Sequence, residues 1–333
     1  MKINFVVDNR LPIEPLERLN ELNRLRSLSW DEGVTECKVH AWIWPLFSLM
    51  KTRLPKVVLS DSFDSEAINI VTQSGIRRCH GFDPGRFFYV VVRLDGAPFF
   101  YAPLEIVQNP RHAGWRRIFM PHLPQPGLIP RSSHRKEVMT VAYAGEPGND
   151  AVGESGLIKK IEESGLCWVS FGIGEWNDFS DVDVLVGVRS FDKNPHHHKP
   201  PTKLFNAWLA RIPFVGGWDS AYSAVGTPGV NYLRVSSSKE LLEALRLLKE
   251  DRDLYNKVVE SGVHAMEQYK IEKTLDKWIS MLDNVAYPMY AKWRSGGIIS
   301  RFETALSRTA FSMFESQLLR NSVRTWHYVS RRW

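Results

Sequence analysis

Two lysines four residues apart flank the start of a predicted helix, where positive charge is locally unfavourable. Pro200 and Pro201 suit a first helical turn, because proline lacks the N–H that has no partner there. Lys199 and Lys203 therefore lie near the positive end of the helix dipole. This placement favours a nearby anion such as a diphosphate, which a helix N-terminus also attracts. Spacing alone fits two solvated surface lysines equally well.

The segment after this helix has the pattern of a strand, a turn and a second helix. Pro213 ends the first helix, and Phe214 begins a short apolar strand. Gly217 completes a glycine pair that permits a tight turn. Asp219 or Ser220 then has the right side chain to cap the next helix.

This run resembles the donor-binding segment of GT-B glycosyltransferases. The most similar pattern is that of a glycosyltransferase-like group with Lys-Pro-x-Thr-Lys-Leu-x-Asn-Ala-Trp, which residues 199–208 match. Residues 121–131 resemble the same group. Common retaining members carry two glutamates, separated by seven residues, that contact the sugar and the ribose. His198 and Asn206 stand at those positions here, so the choice between retaining and inverting chemistry stays open.

Predicted strands and helices alternate along the chain, which is typical of parallel, doubly wound α/β sheets. The resemblance implies two such Rossmann-like domains, the GT-B arrangement. We expect a first, acceptor-side domain over 1–135 and a nucleotide-sugar-binding domain over 136–285. A basic, amphipathic helical tail would then cover 286–333. Pro45 is expected to break the apolar segment that contains it, and a helix over 271–282 is expected to complete the second domain.

Three features of the second domain could together hold the diphosphate of a nucleotide sugar. The loop that begins at Gly145 follows the first predicted strand of this domain, and its N–H groups could approach phosphate. The lysine pair supplies charge, and the glycine turn supplies a second helix start. The candidate donor-binding residues are Gly145, Glu146, Arg189, His198, Lys199, Lys203, Asn206, Gly217, Ser220, Ala221 and Tyr222.

Two motifs in the sequence could bind a metal ion, but neither predicts that the protein requires one. Asp181 and Asp183 imitate the metal-binding Asp-x-Asp of the other large glycosyltransferase fold. Here they lead into an apolar strand, where aspartates more often cap and turn. A histidine run at 196–198 fits a loop before Lys199, although it could bind metal adventitiously. We therefore expect no metal and no cofactor, the nucleotide sugar being a co-substrate.

Transfer to a hydroxyl needs a base or an electrostatic partner, which the resemblance assigns to the first domain. A carboxylate or imidazole within hydrogen-bond reach of the hydroxyl would suffice. Asp64 and His122 are the favoured catalytic residues, and each also fits a structural role. The full set of candidates is Asp61, Asp64, His80, Asp95 and His122.

The positive charge of the chain is concentrated in its last 48 residues. The 333 residues carry a net charge of +6, and the segment 286–333 alone has eight basic and two acidic side chains. The remainder is neutral on balance, so we expect no nucleic-acid partner. A basic amphipathic helix can bind an anionic membrane or pack on the protein. We expect a glycan or lipid-linked acceptor, and a cytoplasmic protein that contacts the inner face of the membrane through this tail.

Three widely spaced cysteines and the absence of a long apolar segment agree with that location. The cysteines form no Cys-x-x-Cys pair, which indicates neither a disulfide framework nor a zinc site. The sequence predicts no signal peptide and no transmembrane helix.

Two further functions stay open as alternatives. A catalytically degenerate GT-B-like scaffold would account for the missing glutamate pair. An NAD-dependent oxidoreductase of doubly wound fold would need a full glycine fingerprint followed by an acidic residue, and the sequence has neither.

Overall fold

The computed structural model describes most of the chain, with the longest gaps at residues 8–39 and 302–333. The described residues are 1–7, 40–76, 83–94, 96, 99, 102–125, 127–145, 148–153, 156–172, 176–297 and 301. Leucines at three-residue steps predict a helix over 14–28, which lies outside these ranges. Most of the predicted amphipathic helix of the tail lies outside them too.

The first sheet has six parallel strands in the order β2-β1-β3-β4-β5-β6. Its strands are β1 (Lys2–Val6), β2 (Val57–Ser60), β3 (Ala67–Thr72), β4 (Phe88–Val92), β5 (Leu104–Val107) and β6 (Arg117–Phe119). Strands β3 and β4 are buried along their whole length, as expected where both faces of a parallel sheet are covered. Strand β3 was not among the strands predicted from the sequence, although its run of apolar residues is the signal of a buried strand.

The second sheet has five parallel strands in the order β11-β10-β9-β7-β8. Its strands are β7 (Thr140–Tyr143), β8 (Cys167–Ser170), β9 (Val184–Gly187), β10 (Phe214–Gly216) and β11 (Leu233–Arg234). The sequence predicts these five strands over 138–144, 167–171, 182–188, 214–215 and 232–235, which is close to the observed positions. The prediction of an α/β fold with two doubly wound sheets is confirmed.

Helices cover the faces of both sheets. They are α1 (His40–Lys51), α2 (Gln73–Ile76), α3 (Leu157–Glu163), α4 (Thr202–Ala210), α5 (Ser220–Val225), α6 (Ser238–Glu250), α7 (Arg252–Met266), α8 (Ile271–Met281) and α9 (Tyr287–Ser295). A π-helical turn (Leu282–Ala286) joins α8 to α9. In the described ranges, every helix is too short or too polar to span a bilayer.

Two expectations about helices differ from the structure. Pro45 lies inside α1 and does not end it, since the flanking apolar side chains are buried against the first sheet. Helix α8 follows the second sheet in sequence, but its Trp278 is fully buried in the core of the first sheet. The first part of the tail, α9, packs on the same core through Tyr290 and Trp293, whose rings lie 5.6 and 5.8 Å from that of Phe88. Helical periodicity cannot tell which sheet an amphipathic helix will cover.

Helix α4 is held in place by a close approach to α7. A Cβ atom on Gly262 of α7 would lie 2.4 Å from the Trp208 ring, so glycine is needed at this crossing. The indole Nε1 of Trp208 donates to the carbonyl of Asn231 at 2.8 Å. This packing fixes the N-terminus of α4 relative to the carboxyl ends of β7 and β9.

Segments at the carboxyl ends of the two sheets contact each other. Asn109, two residues after β5, donates through Nδ2 to Ser220 Oγ of α5 at 2.9 Å and to the carbonyl of His197 at 2.9 Å. Arg93, directly after β4, contacts His198. Carboxyl ends of parallel strands are where open α/β sheets bind ligands, so these contacts border the candidate site.

Candidate functional site

A cavity of about 240 Å³ opens at the carboxyl edge of the second sheet. The chain reaches it from the end of β7, from the segment after β9 and from the start of α4. Three cationic side chains converge on it, and the described lining residues include no carboxylate and no imidazole. Its described lining consists of Gln125, Ala144, Gly145, Asn149, Trp176, Arg189, Lys199, Pro200, Thr202, Lys203 and Asn206.

Lys203 and Gly145 meet in the wall of this cavity. A Cβ atom on Gly145 would lie 2.5 Å from Lys203 Nζ and 2.7 Å from the Tyr143 hydroxyl. The glycine therefore leaves the space that the ammonium occupies. Lys203 Nζ also lies 4.9 Å from the centre of the Tyr143 ring. Burial, and then the charge of Arg189, lower the pKa of Lys203 to about 7.

Arg189 is held by a buried ion pair. Its Nε donates to Asp219 Oδ1 at 2.8 Å, and Asp219 is 1% exposed. The second carboxylate oxygen of Asp219 is buried without a hydrogen-bond partner. Of the two residues predicted as caps of α5, Asp219 stands at the N-cap position and Ser220 is the first helical residue. Asp219 does not make the cap bond, because its side chain pairs with Arg189.

The N-terminus of α4 has backbone donors available to a ligand. Pro201 is its N-cap and makes no side-chain cap bond, while the first helical bond runs from Phe205 N–H to the Pro201 carbonyl. N–H groups of the first turn have no partner within a helix. Lys199, Thr202 and Lys203 surround this end at the cavity, which is the arrangement that favours phosphate.

The start of α5, the second predicted helix start, packs in the protein core and offers few accessible atoms to a ligand. Ala221 and Tyr222 are fully buried, and the Tyr222 ring packs edge to face on Phe214 at 4.9 Å. Ser220 is buried and accepts from Asn109. Gly217 donates to the carbonyl of Gly187 at 3.3 Å. These four candidates pack behind the cavity and do not line it, because the helix starts inside the core.

The favoured catalytic residues are not brought to the cavity. Asp64 pairs with Lys2 at 2.7 Å, and Lys2 is in register with Ala67 at the amino end of β3. Burial acts to raise the pKa of Asp64, but hydrogen bonds from Lys2 and the Glu66 N–H hold it below the ordinary value. Asp64 thus lies at the edge of its sheet opposite to the carboxyl ends.

His122 is likewise outside the lining of the cavity, with its ring edge to face against Trp42 at 6.3 Å. Glu146, His80 and Asp95 lie outside the described residues. Asp183 accepts from Arg131, Arg135 and two backbone N–H groups. No group of His, Cys, Asp and Glu side chains with the geometry of a metal site occurs in the described ranges.

Several residues of the site were missed by the sequence analysis. Gln125 lies in the proline-rich segment 121–130, for which the sequence predicts a linker between the two domains. It lines the cavity, and its buried Nε2 has no hydrogen-bond partner. Trp176 and Asn149 line the cavity from loops after β8 and β7. Residues in linkers and loops show no helical or strand periodicity. The one sequence signal for Gln125 is that it is a polar residue within a proline-rich segment.

Known proteins were compared with this chain by sequence and by structure. The sequence matches no protein-family model and no curated protein. Among solved structures, Anabaena Alr3699/HepE in complex with UDP and glucose is 11% identical, with a TM-score of 0.50 over 86% of this chain and 100% of that chain. S. aureus TarM is 11% identical, with a TM-score of 0.49 over 72% of this chain and 58% of its own. The lipopolysaccharide outer core galactosyltransferase WaaB, in its apo form, is 12% identical, with a TM-score of 0.44 over 85% of this chain and 99% of its own.

The likeness to HepE confirms the resemblance to GT-B glycosyltransferases at the level of the fold. The chain has two parallel α/β sheets and a helical C-terminal region, as the GT-B fold does. At this identity the likeness shows the fold alone, and the chain spans 58% of the length of TarM.

Proposed function

We propose that this protein transfers a sugar from a nucleotide-diphosphate sugar to an acceptor hydroxyl. The observation that supports this most strongly is the cationic cavity at the carboxyl edge of the second sheet. Arg189, Lys199 and Lys203 line it beside the uncapped N-terminus of α4. A bound UDP in the HepE complex shows that a protein of this fold accepts a nucleoside diphosphate.

In this proposal the protein stabilises the leaving diphosphate with its own charges. Lys203 and Lys199 carry positive charge to the phosphates, while first-turn N–H groups of α4 donate to them. Arg189 is pre-oriented by Asp219 and needs no rearrangement to act. These groups balance the charge that a metal would otherwise neutralise, so we propose a metal-independent transferase of the hexosyl type. Asn206, which lines the same cavity, would contact the nucleoside or sugar.

The acceptor would enter from the side of the first sheet. Its proposed class is a glycan, free or lipid-linked, because the basic C-terminal segment would hold the protein near an anionic membrane surface. Helix α9 packs in the core of the first sheet, so a truncation that tests this idea must keep it. Removal of the residues after 301 should abolish co-sedimentation with vesicles rich in anionic lipid. Unchanged co-sedimentation would refute membrane contact through this segment.

A ligand panel tests the donor site. Thermal unfolding would be measured with UDP, GDP, ADP, CMP, their common sugars and NAD(H). A ligand at 100 times its Kd adds about 2.7 kcal/mol of stability, which is readily measured. We expect one nucleoside diphosphate to stabilise the wild type and the Lys257→Met control, in which an exposed lysine of α7 is replaced. Lys203→Met should lose the response.

Turnover separates an enzyme from a degenerate scaffold. The nucleotide sugar selected by the panel would be incubated with the protein, and release of the nucleoside diphosphate would be followed with and without glycan acceptors. Binding without release under any condition would favour the scaffold, for which His198 and Asn206 in place of glutamates are the supporting observation. Stabilisation by NAD(H) alone would overturn the proposal in favour of an oxidoreductase.

A further inference from the structure

Arg93 contacts histidines from both halves of the molecule. Its Nη2 lies 2.7 Å from Nδ1 of His112 and 2.8 Å from Nδ1 of His198. Arg93 is 3% exposed and His112 is 8% exposed. The two imidazoles meet edge to face with their centres 5.4 Å apart. The two hydrogens on Nη2 can therefore each be donated to one imidazole ring.

The chemistry of arginine determines where the imidazole protons are. A guanidinium has only donors and stays charged, so each Nδ1 that contacts it must accept. An imidazole that accepts at Nδ1 is neutral and carries its proton on Nε2. A protonated imidazole would place an N–H against the N–H of Arg93. Hydrogen-bond geometry thus selects one tautomer in both histidines.

The charges around the two rings favour the neutral form of both imidazoles. His112 faces Arg93, His198, His197 and Arg117, and burial followed by these charges lowers its pKa to about 3. His198 faces Arg93, His197 and Lys199, and burial followed by these groups lowers its pKa as well. Neither set contains a carboxylate. Both histidines should therefore be neutral near pH 7.

The guanidinium is itself held firmly. Arg93 Nε donates to the carbonyl of Gly96 at 2.9 Å. Its Nη1 lies 4.0 Å from Oε2 of Glu105, a carboxylate with no exposed surface. Glu105 Oε1 accepts from the Phe99 N–H at 2.9 Å. The first sheet thus presents Arg93 in one orientation at the ends of β4 and β5.

We propose that Arg93 is a positioning residue that fixes His112 and His198 as neutral Nε2–H imidazoles and holds the segment 196–199 against the first sheet. His198 directly precedes Lys199, which lines the cationic cavity. Asn109 supports the same segment through the carbonyl of His197. His198 is exposed, so its Nε2–H is a donor for a ligand oxygen: a hydroxyl, carboxylate or phosphate. Only the link from this segment to nucleotide affinity rests on the proposed function.

Histidine NMR on the full chain tests the tautomers without any ligand. Protein labelled with ¹⁵N-histidine would be examined by long-range ¹H–¹⁵N correlation between pH 8 and pH 5, with His112→Gln and His198→Asn variants used for assignment. We expect the Nε2–H tautomer for His112 over this whole range, and for His198 wherever its imidazole is neutral, including pH 7 and above. A proton on Nδ1 of either neutral ring, or a cationic His198 at pH 7, would overturn the proposal.

A paired variant tests the role of Arg93. Arg93→Met alone would leave the Glu105 carboxylate buried without its arginine, so Arg93→Met/Glu105→Gln is the variant that keeps the site neutral. We expect the pKa of His198 to rise towards its ordinary value in it, since a positive charge at hydrogen-bond distance is removed. The signal of His264, an exposed histidine on α7, is the internal reference and should not change. An unchanged pKa and tautomer of His198 would refute the role of Arg93.

Nucleotide affinity separates this inference from the proposed function. The Kd of the nucleoside diphosphate should increase about tenfold in the paired variant, by loss of charge-assisted hydrogen bonds that order the segment. Arg53→Met, at an exposed arginine of the first domain, is the matched control and should bind as the wild type does. If the wild type bound no nucleotide, the proposed function would fail while the NMR result decided the tautomers. Equal Kd values in wild type and paired variant would refute the positioning of the segment.

Discussion

Replacement of Lys203 by methionine should stabilise the ligand-free protein and remove nucleotide binding at once. The pKa of Lys203 falls to about 7 from an ordinary value of 10.5, first through burial and then through Arg189. At about 1.4 kcal/mol per unit, the charged ammonium costs at most about 5 kcal/mol of stability. Methionine has a similar length and no charge. We therefore expect the free energy of unfolding at pH 6 to rise by at least about 1 kcal/mol.

The sign of this effect depends on pH. A lysine with a lowered folded pKa destabilises the fold below that pKa, where the folded protein must hold a buried charge. As pH rises from about 7 towards 10.5, the folded state loses the proton before the unfolded state does, and the penalty is relieved. The stability difference between Lys203→Met and wild type should therefore be largest at pH 6 and clearly smaller at pH 9.

Urea unfolding at these two pH values measures the difference, and thermal shift with the nucleoside diphosphate measures binding. The control is Lys257→Met, which should change neither quantity. A variant less stable than wild type at pH 6 would show that the Lys203 ammonium makes a net favourable interaction in the free protein. Unchanged nucleotide binding would show that the cationic cavity is not the diphosphate site.

Four further predictions each depend on one side chain and its contacts. Diphosphate binding at pH 8 should take up about 0.9 proton, because the largely neutral Lys203 amine becomes protonated beside the phosphates. Titration calorimetry in buffers of different ionisation enthalpy measures this uptake; equal binding heats in all buffers would contradict it. Gly145→Ala should displace the ammonium and raise the Kd about tenfold, and it should also lower the melting temperature, because its Cβ would lie 2.8 Å from Cζ of the buried Tyr143 ring; an unchanged Kd would contradict it. Gly262→Ala should lower stability by about 2 kcal/mol in urea unfolding, because its Cβ would overlap Trp208; wild-type stability would show that α4 can shift. Asp183→Asn should cost about 3 kcal/mol by leaving Arg131, whose side chain is 9% exposed, without a carboxylate. Stability from Asp183 should be lost only as pH falls below its ordinary pKa of 3.8; a stable variant would refute that ion pair.

Local patterns predicted most of the elements correctly. The continuous apolar run over 182–188 predicts the buried strand β9. The pair Ser237 and Glu240 predicts a capping box at the start of α6, and Ser237 Oγ accepts from Glu240 N–H at 3.1 Å. The start of α4 after Pro201 was predicted for the same reason. The gathering of Lys199, Lys203 and Gly145 at one cavity agrees with the rule that strand ends and helix starts form the ligand edge of such sheets.

Contacts between distant residues could not be predicted in this way. Arg93 and His198 are 105 positions apart, and nothing in either local pattern marks the other. The sequence position of Asp219 fits a helix N-cap, but in the fold its carboxylate accepts a hydrogen bond from Arg189 instead. Asp64 follows β2 in the chain, yet the short connection to β3 carries it across to the opposite edge of the sheet.

The amino-acid sequence alone therefore determined the class of fold, most of its elements apart from β3, and the charge of the candidate donor segment. These properties depend on periodicity, on proline and glycine positions and on residue type, which act over one or two turns of chain. Only the tertiary structure decided that α8 and α9 cover the first sheet, that Gln125 reaches the cavity and that Arg93 holds two histidines. Those outcomes depend on how the two sheets pack and face each other, because burial and hydrogen bonding are satisfied by whichever groups the whole fold brings together.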